Sequence, residues 1–275
     1  MDARDAEADG RAAEVVFPSS IQLIDRAHFA RAPRGPNRTR CYKNHMCGRY
    51  TITTPVDALR RLFQFKNLPN LEPRWNVAPT QAAPVVRETP AGRELRMLRW
   101  GLIPAWAKDA SIGARCINAR ADTVTEKPAF RSAFRMRRCL VPADGFFEWR
   151  AENNANQPYR IVLHGGATFA FAGLWEQWKA PSETIESFTI VTTDANDALR
   201  PLHHRMPAIL APEDYAPWLG GSPAEAQALL RPFPSAGFAF HPADPHVNSA
   251  RNDDARCIAP FKPAPKVPPP QGLLL

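Results

Sequence analysis

The chain has 275 residues, 44% of them hydrophobic, which suffices for a buried core, and no run of about 18 apolar residues that would make a transmembrane helix. No basic stretch followed by an apolar segment opens it, which argues against a secretory signal. The five cysteines (Cys41, Cys47, Cys116, Cys139, Cys257) include no CxxC pair, so neither a disulfide framework nor a zinc site is expected.

In chain order, residues 1–45 begin acidic and Ala-rich, then turn Arg-rich, with no sustained periodicity; they read as a disordered extension. They hold eight Lys/Arg against six Asp/Glu, so +6 of the net +8 stays on residues 46–275. A basic body suits a polyanionic partner, since each neutralised phosphate releases counterions. Residues 46–260 read as the globular body. Thr54-Pro55 opens a helix through Leu59, Leu62 and Phe63, with a hydroxyl cap and proline at the first helical position. Arg74–Thr80 reads as a polar loop. A second helix follows Pro128, with Phe130 and Phe134 on one face, and Ser222-Pro223-Ala224-Glu225 is a capping box before a third. Between them lie strand-like runs at Met97–Trp100, Cys139–Pro142, Tyr159–Leu163, Thr168–Gly173, Phe188–Thr192 and Ala208–Leu210. The fold class is α+β, a single domain of mainly antiparallel, barrel-like sheet with a few short flanking helices. From residue 261 the tail is Pro-rich and disordered.

Cys47 draws attention through the methionine before it. A chain beginning at Met46 would lose that methionine and present Cys47 with a free α-amine beside its thiol. An α-amine titrates near 7.7–8.0, so a usable fraction is neutral at pH 7. It can attack an aldehyde to give an imine, which the thiol closes into a five-membered thiazolidine. Four other segments carry chemistry-bearing residues: Asn76 in 74–80, Asn118 two residues from Arg120, Glu148 among large aromatics, and His203-His204-Arg205. A carboxylate so placed is expected to have a raised pKa and to serve as general acid and base; an imidazole can transfer protons. Singly, each has an ordinary alternative: a turn asparagine, a surface arginine, a solvated glutamate, a core histidine.

Together they resemble one family. Met-Cys-Gly-Arg at 46–49, Trp-Asn-Val-Ala-Pro at 75–79, Trp-Gly-Leu-Ile-Pro at 100–104, Ile-Asn-Ala-Arg at 117–120, Ala-Asp-Gly-Phe-Phe-Glu-Trp at 143–149 and His-His-Arg-Met-Pro at 203–207 occur in the order seen in SRAP-domain proteins, the SOS-response-associated peptidase family, also called abasic-site processing proteins. The resemblance implies a SRAP domain over 46–260 that shields abasic sites in single-stranded DNA by a covalent DNA–protein crosslink during the DNA damage response. It implies Cys47 as the attacking residue, Asn118 holding the opened sugar, Glu148 positioning the α-amine and shuttling protons, and His203 as proton donor. Arg49, Arg120 and Arg205 would pair with the DNA backbone, and Asn76 is a further DNA-binding candidate. Trp106 and Pro79 would form the surface where the strand bends, and Thr192 is a weaker candidate for phosphate contact. No metal or organic cofactor is implied, and a cytoplasmic monomer is expected. A thiol (auto)peptidase using Cys47, with the family's hydrolase and lyase labels, and a non-covalent single-stranded DNA binder are the alternatives.

One feature departs from the family pattern. With 45 residues and Met46 before it, Cys47 has no α-amine. Either Met1 is a mis-assigned start and translation begins at Met46, the reading favoured here, or the extension is removed by cleavage after Met46.

Overall fold

The computed structural model describes residues 48–152 and 155–261. The extension 1–45, with Met46, Cys47 and the tail from 262, lies outside the described residues. In chain order the strands are β1 (Arg49–Ile52), β2 (Arg74–Val77), β3 (Ala82–Thr89), β4 (Gly92–Trp100), β5 (Asn118–Arg120), β6 (Arg138–Ala143), β7 (Gly145–Glu152), β8 (Ala155–Leu163), β9 (Phe169–Lys179), β10 (Thr184–Asp194), β11 (Arg205–Pro207), β12 (Ile209–Leu210) and β13 (Phe238–Pro242). Four short helices accompany them: α1 (Val56–Phe63), α2 (Arg131–Met136), α3 (Tyr215–Gly220) and α4 (Pro223–Leu229). No helix among the described residues is long and apolar enough to cross a membrane.

Strands β4, β3, β6, β9 and β10 pair in that order and close into a five-stranded barrel, since β10 also pairs with β4. Four of these pairings are antiparallel and the closing one is parallel. Closure removes the open edges that an isolated sheet would expose. A second sheet, β13-β8-β7-β1-β2, is antiparallel throughout. Its inward residues meet the barrel through aromatic rings. Tyr50 packs edge-on to Trp100 and Phe171 at centroid distances of 5.2 and 5.8 Å, and Phe146 meets Phe171 at 5.9 Å. All four rings are fully buried. Such pairs add to plain area burial, which itself contributes about 1.5–3 kcal/mol per large apolar side chain.

The runs expected as strands lie in β4, β6, β8, β9, β10 and β12, Thr168 and Ala208 excepted. The capping box is present: Ser222 Oγ accepts from Glu225 N at 3.2 Å, and Ser222 N donates to Glu225 Oε2 at 2.7 Å. Two local expectations need correction. Thr54 does not cap α1; Pro55 is the capping residue, and the Thr54 hydroxyl lies 2.6 Å from that of Thr168 and bonds Asp144. The Arg74–Thr80 segment is not simply a loop, since its first four residues form β2 against β1.

Candidate functional site

Strand β1 is fixed from both sides. On one side the register pairs Arg49 with Phe147, Tyr50 with Phe146 and Thr51 with Gly145. Continued one step, this register would set Gly48 opposite Glu148, which is buried on β7. Cys47 lies outside the described residues, one peptide bond before Gly48. At the other end of β1, Asp144 accepts from Thr53 Oγ1 at 2.7 Å and from Thr54 N at 3.1 Å, and its other oxygen takes the Thr51 hydroxyl.

Arg49 and Asn76 tie β1 and β2 to a distant stretch of chain. Arg49 Nη1 donates to Asn76 Oδ1 at 3.0 Å and to the Val247 carbonyl at 2.7 Å, and Nη2 to Asn248 O at 3.3 Å. Asn76 is fully buried, and its Nδ2 reaches the carbonyls of Val247, Ser249 and Asn252 at 3.2, 3.0 and 2.7 Å. Asp253 Oδ1 completes the tie by accepting the amides of Trp75 and Asn76 at 2.6 and 2.9 Å. A polar residue in a strand core is tolerated because every group meets a partner. Both side chains therefore sit inside the protein, held by carbonyls.

Trp100 is the hub of the motif segments. Its ring carries Tyr50, its Nε1 donates to Ile117 O at 2.9 Å, and its carbonyl accepts Thr80 N at 2.8 Å. Half-buried Pro79 thus sits beside it, followed by Thr80 in a left-handed conformation, φ 70°. Gly101 has φ +119°, and a Cβ there would stand 2.6 Å from the Gly113 carbonyl. Only glycine admits this approach. It lets Leu102 N donate to Cys116 O at 3.1 Å and delivers residues 117–120 to β10, in parallel register, with Asn118 beside Ile190 and Arg120 beside Thr192.

At this edge Arg120 and Trp106 are open to solvent. Asn118, Arg120, Trp106, Thr123, Lys127 and Pro128 line much of a depression of about 390 Å³. Trp106 is 61% exposed, its Nε1 donating to Pro128 O at 3.3 Å. Arg120 forks onto Asp122, Nε to Oδ1 at 3.0 Å and Nη2 to Oδ2 at 2.6 Å. Arg205, buried on β11, donates to Thr192 O at 2.6 Å and to Asp194 Oδ1 at 3.1 Å. Burial, then the Arg120 charge, lowers its pKa. Thr192 is also buried, and its hydroxyl donates to Ala119 O at 3.3 Å.

His203 Nδ1 accepts the Arg205 amide at 3.1 Å and lies 3.4 Å from the Arg205 carbonyl; with the shorter contact kept, the neutral ring carries its proton on Nε2. The His204 ring stacks on it at 4.3 Å. Burial first, then His204, hold its pKa below the ordinary histidine value; the Arg205 main chain opposes them, and the Arg205 charge adds a smaller lowering. At neutral pH it is thus a neutral ring with one N–H to give.

The sequence-predicted residues fall into two groups. Asn118, Arg120, Trp106, Thr192, His203 and Arg205 gather around β5 and the end of β10; Arg49, Asn76 and Glu148 lie on β1, β2 and β7. The Tyr50–Trp100–Ile117 contacts link them. Sequence reasoning missed the 244–258 segment, although Asp244 and Asp254 at the heads of its short 3₁₀ turns were a legible signal. It missed Asp122, two residues after Arg120. One group of metal-ligating types occurs among the described residues, His246, Asp254 and Cys257, with ligand atoms within 4.8 Å. There His246 Nε2 meets Asp254 at 3.0 Å, His246 Nδ1 meets Asn252 Nδ2 at 3.1 Å, and burial raises the Cys257 thiol.

Topology and site together define an α+β protein whose separate sequence motifs converge on one tryptophan. The chain belongs to the SOS response associated peptidase (SRAP) family, whose profile matches residues 46–250. It is 40% identical over 221 residues to the abasic site processing protein YoaM of Bacillus subtilis, covering 78% of this chain and 97% of that protein. It is 31% identical over 261 residues to the abasic site processing protein HMCES of Xenopus tropicalis, 78% of each. A solved structure of a Bacteroides thetaiotaomicron protein superposes with TM-score 0.71 at 29% identity, covering 78% of this chain and 100% of that one.

Proposed function

We propose that this protein processes abasic sites in single-stranded DNA by forming a covalent thiazolidine through Cys47, shielding the lesion during the DNA damage response. The observation that carries this reading is the open depression lined by Asn118, Arg120 and the exposed Trp106, with buried Arg205 on the neighbouring β11 and His203 two residues before it, in a chain whose relatives are named for abasic-site processing. The electrophile is the C1′ aldehyde of the ring-opened deoxyribose. The Cys47 α-amine attacks it, the carbinolamine loses water to give an imine, and the thiol adds to the same carbon while its proton passes to nitrogen. Glu148, the residue after Phe147 where β7 pairs with Arg49, positions the amine and moves these protons. His203 offers its Nε2–H to the sugar oxygen on ring opening, and Asn118 holds the opened sugar.

Arg120 and Arg205 would hold the backbone, Thr192 acting through Arg205. Trp106 would stack a base where the strand bends, beside Pro79. Arg49 and Asn76, given their partners, serve the strand by fixing β1 and β2 under it. The chemistry requires Cys47 to be the first residue. The peptidase activity in the family's name fits here: cleavage after Met46 would free the amine. The protein is proposed to act as a cytoplasmic monomer.

The test is a denaturing gel of a chain beginning at Cys47 with an abasic single-stranded oligonucleotide. A slow-migrating adduct is expected; Cys47→Ala should abolish it, and Asn118→Ala and Glu148→Gln should slow it. A full-strength adduct from Cys47→Ala refutes the assignment. An unprocessed native chain beginning at Met1 that still crosslinks would sink the thiazolidine.

A further inference from the structure

Arg120 and Arg205, the two cations proposed to hold DNA, are both met by carboxylates of the protein itself. Arg120 presents Nε and Nη2 to the two oxygens of Asp122. This fork-to-fork geometry is the one an arginine makes with a phosphate. Asp122 Oδ2 also lies 4.0 Å from Arg205 Nη1, whose nearer carboxylate is Asp194 at 3.1 Å.

Position separates the Arg120–Asp122 pair from structural ones. The side chains of Arg120 and Asp122 are 57% and 50% exposed, whereas Arg205, the partner of Asp194, is buried at 4%. Likewise, Arg87 is 12% exposed, shared between Glu94 and Glu186 and stacked over Trp175. An exposed pair adds little to stability and opens readily, because water solvates both partners once they part. Asp122 thus occupies the Arg120 fork without being needed to keep the fold. It also lies two residues beyond β5, next to the depression lined by Asn118 and Trp106.

We propose that Asp122 is an internal stand-in for a DNA phosphate: its carboxylate fills the Arg120 fork in the free protein and yields it when a strand enters. The proposal rests on the abasic-DNA reading above and adds to it a residue that sets affinity. Arg120 is kept aimed while the site is empty. Once displaced, Asp122 stands near the incoming phosphate and opposes it, so every strand binds more weakly than the two arginines alone would allow. The exchange also has a salt signature. The phosphate releases a counterion on pairing with Arg120, while the freed Asp122 takes one up, so this contact contributes little to the salt dependence.

The experiment is fluorescence anisotropy of the full chain with an unmodified oligothymidylate, over a salt series, for wild type, Asp122→Asn, Asp122→Ala and Asp122→Glu, with thermal melts confirming the fold. Asp122→Asn and Asp122→Ala should each bind about three- to ten-fold tighter at low salt. Their plots of log affinity against log salt should steepen by up to ~0.7. Asp122→Glu should return both quantities toward wild type. Equal or weaker binding by the folded Asn and Ala variants, where wild type binds, overturns the stand-in and leaves the DNA reading intact. No binding by wild type or variants overturns both.

Discussion

Arg49 directs its guanidinium at neutral carbonyls and an amide inside the protein, whereas Arg120 directs its own at a half-exposed carboxylate beside a depression open to solvent. The two arginines each close a short motif, at 46–49 and 117–120, and read alike in the sequence. Partner and burial decide what each can do. A buried cation satisfied by carbonyls cannot leave them without stranding polar groups, so it positions a strand. An exposed cation paired with a carboxylate can trade that partner for a phosphate at little cost.

The sharpest way to break this comparison is Arg49→Ala. It leaves the Asn76 amide and two carbonyls short of a donor, and should lower unfolding stability by about 2–4 kcal/mol in urea titration. A loss well under 1 kcal/mol would remove Arg49 from the structural side. Trp106→Ala comes next: single-strand affinity should fall by about 1–2 kcal/mol, measured by anisotropy, with the melting temperature unchanged. Unaltered affinity would place the strand elsewhere. Arg120→Ala should weaken binding by about 1 kcal/mol for any base sequence, again without loss of stability.

The smallest effect concerns His203. Its folded pKa lies below the unfolded value of about 6.5, so the unfolded chain takes up the proton more readily. Stability therefore falls as pH drops through 6.5, and remains level above it. His241 shifts the same way, through burial and then Arg160, so the comparison must be with His203→Gln. The variant should lose less stability than wild type between pH 7 and pH 5. Parallel curves would show that His203 is not held neutral.

How far the sequence could be read follows from the same physics. The barrel strands were legible because their apolar runs are local: Val141, Phe171 and Ile190 are fully buried where the pattern expected a strand core. The capping box was legible because its partners stand three residues apart. Asn76 was not, since its partners are carbonyls more than 170 residues away and nothing nearby marks it as buried. Nor was Thr54, whose hydroxyl is claimed by Asp144 and Thr168, 90 and 114 residues away, instead of by its own helix. The site residues were named by motif, but which of them are buried (Arg49, Asn76, Glu148, Thr192, Arg205) and which are exposed (Arg120, Trp106) depends on long-range pairing. Asp122 stood in plain sight beside Arg120; its meaning came from the fork it fills.

The central claim is that Cys47 reacts through its α-amine as well as its thiol. The most direct measurement compares two chains that differ by one residue, one beginning at Cys47 and one with a single alanine before it, each incubated with abasic single-stranded DNA and run under denaturing conditions. The account predicts a stable adduct from the first and none from the second, although both keep the thiol and Glu148. Equal, stable adducts from both chains would contradict it.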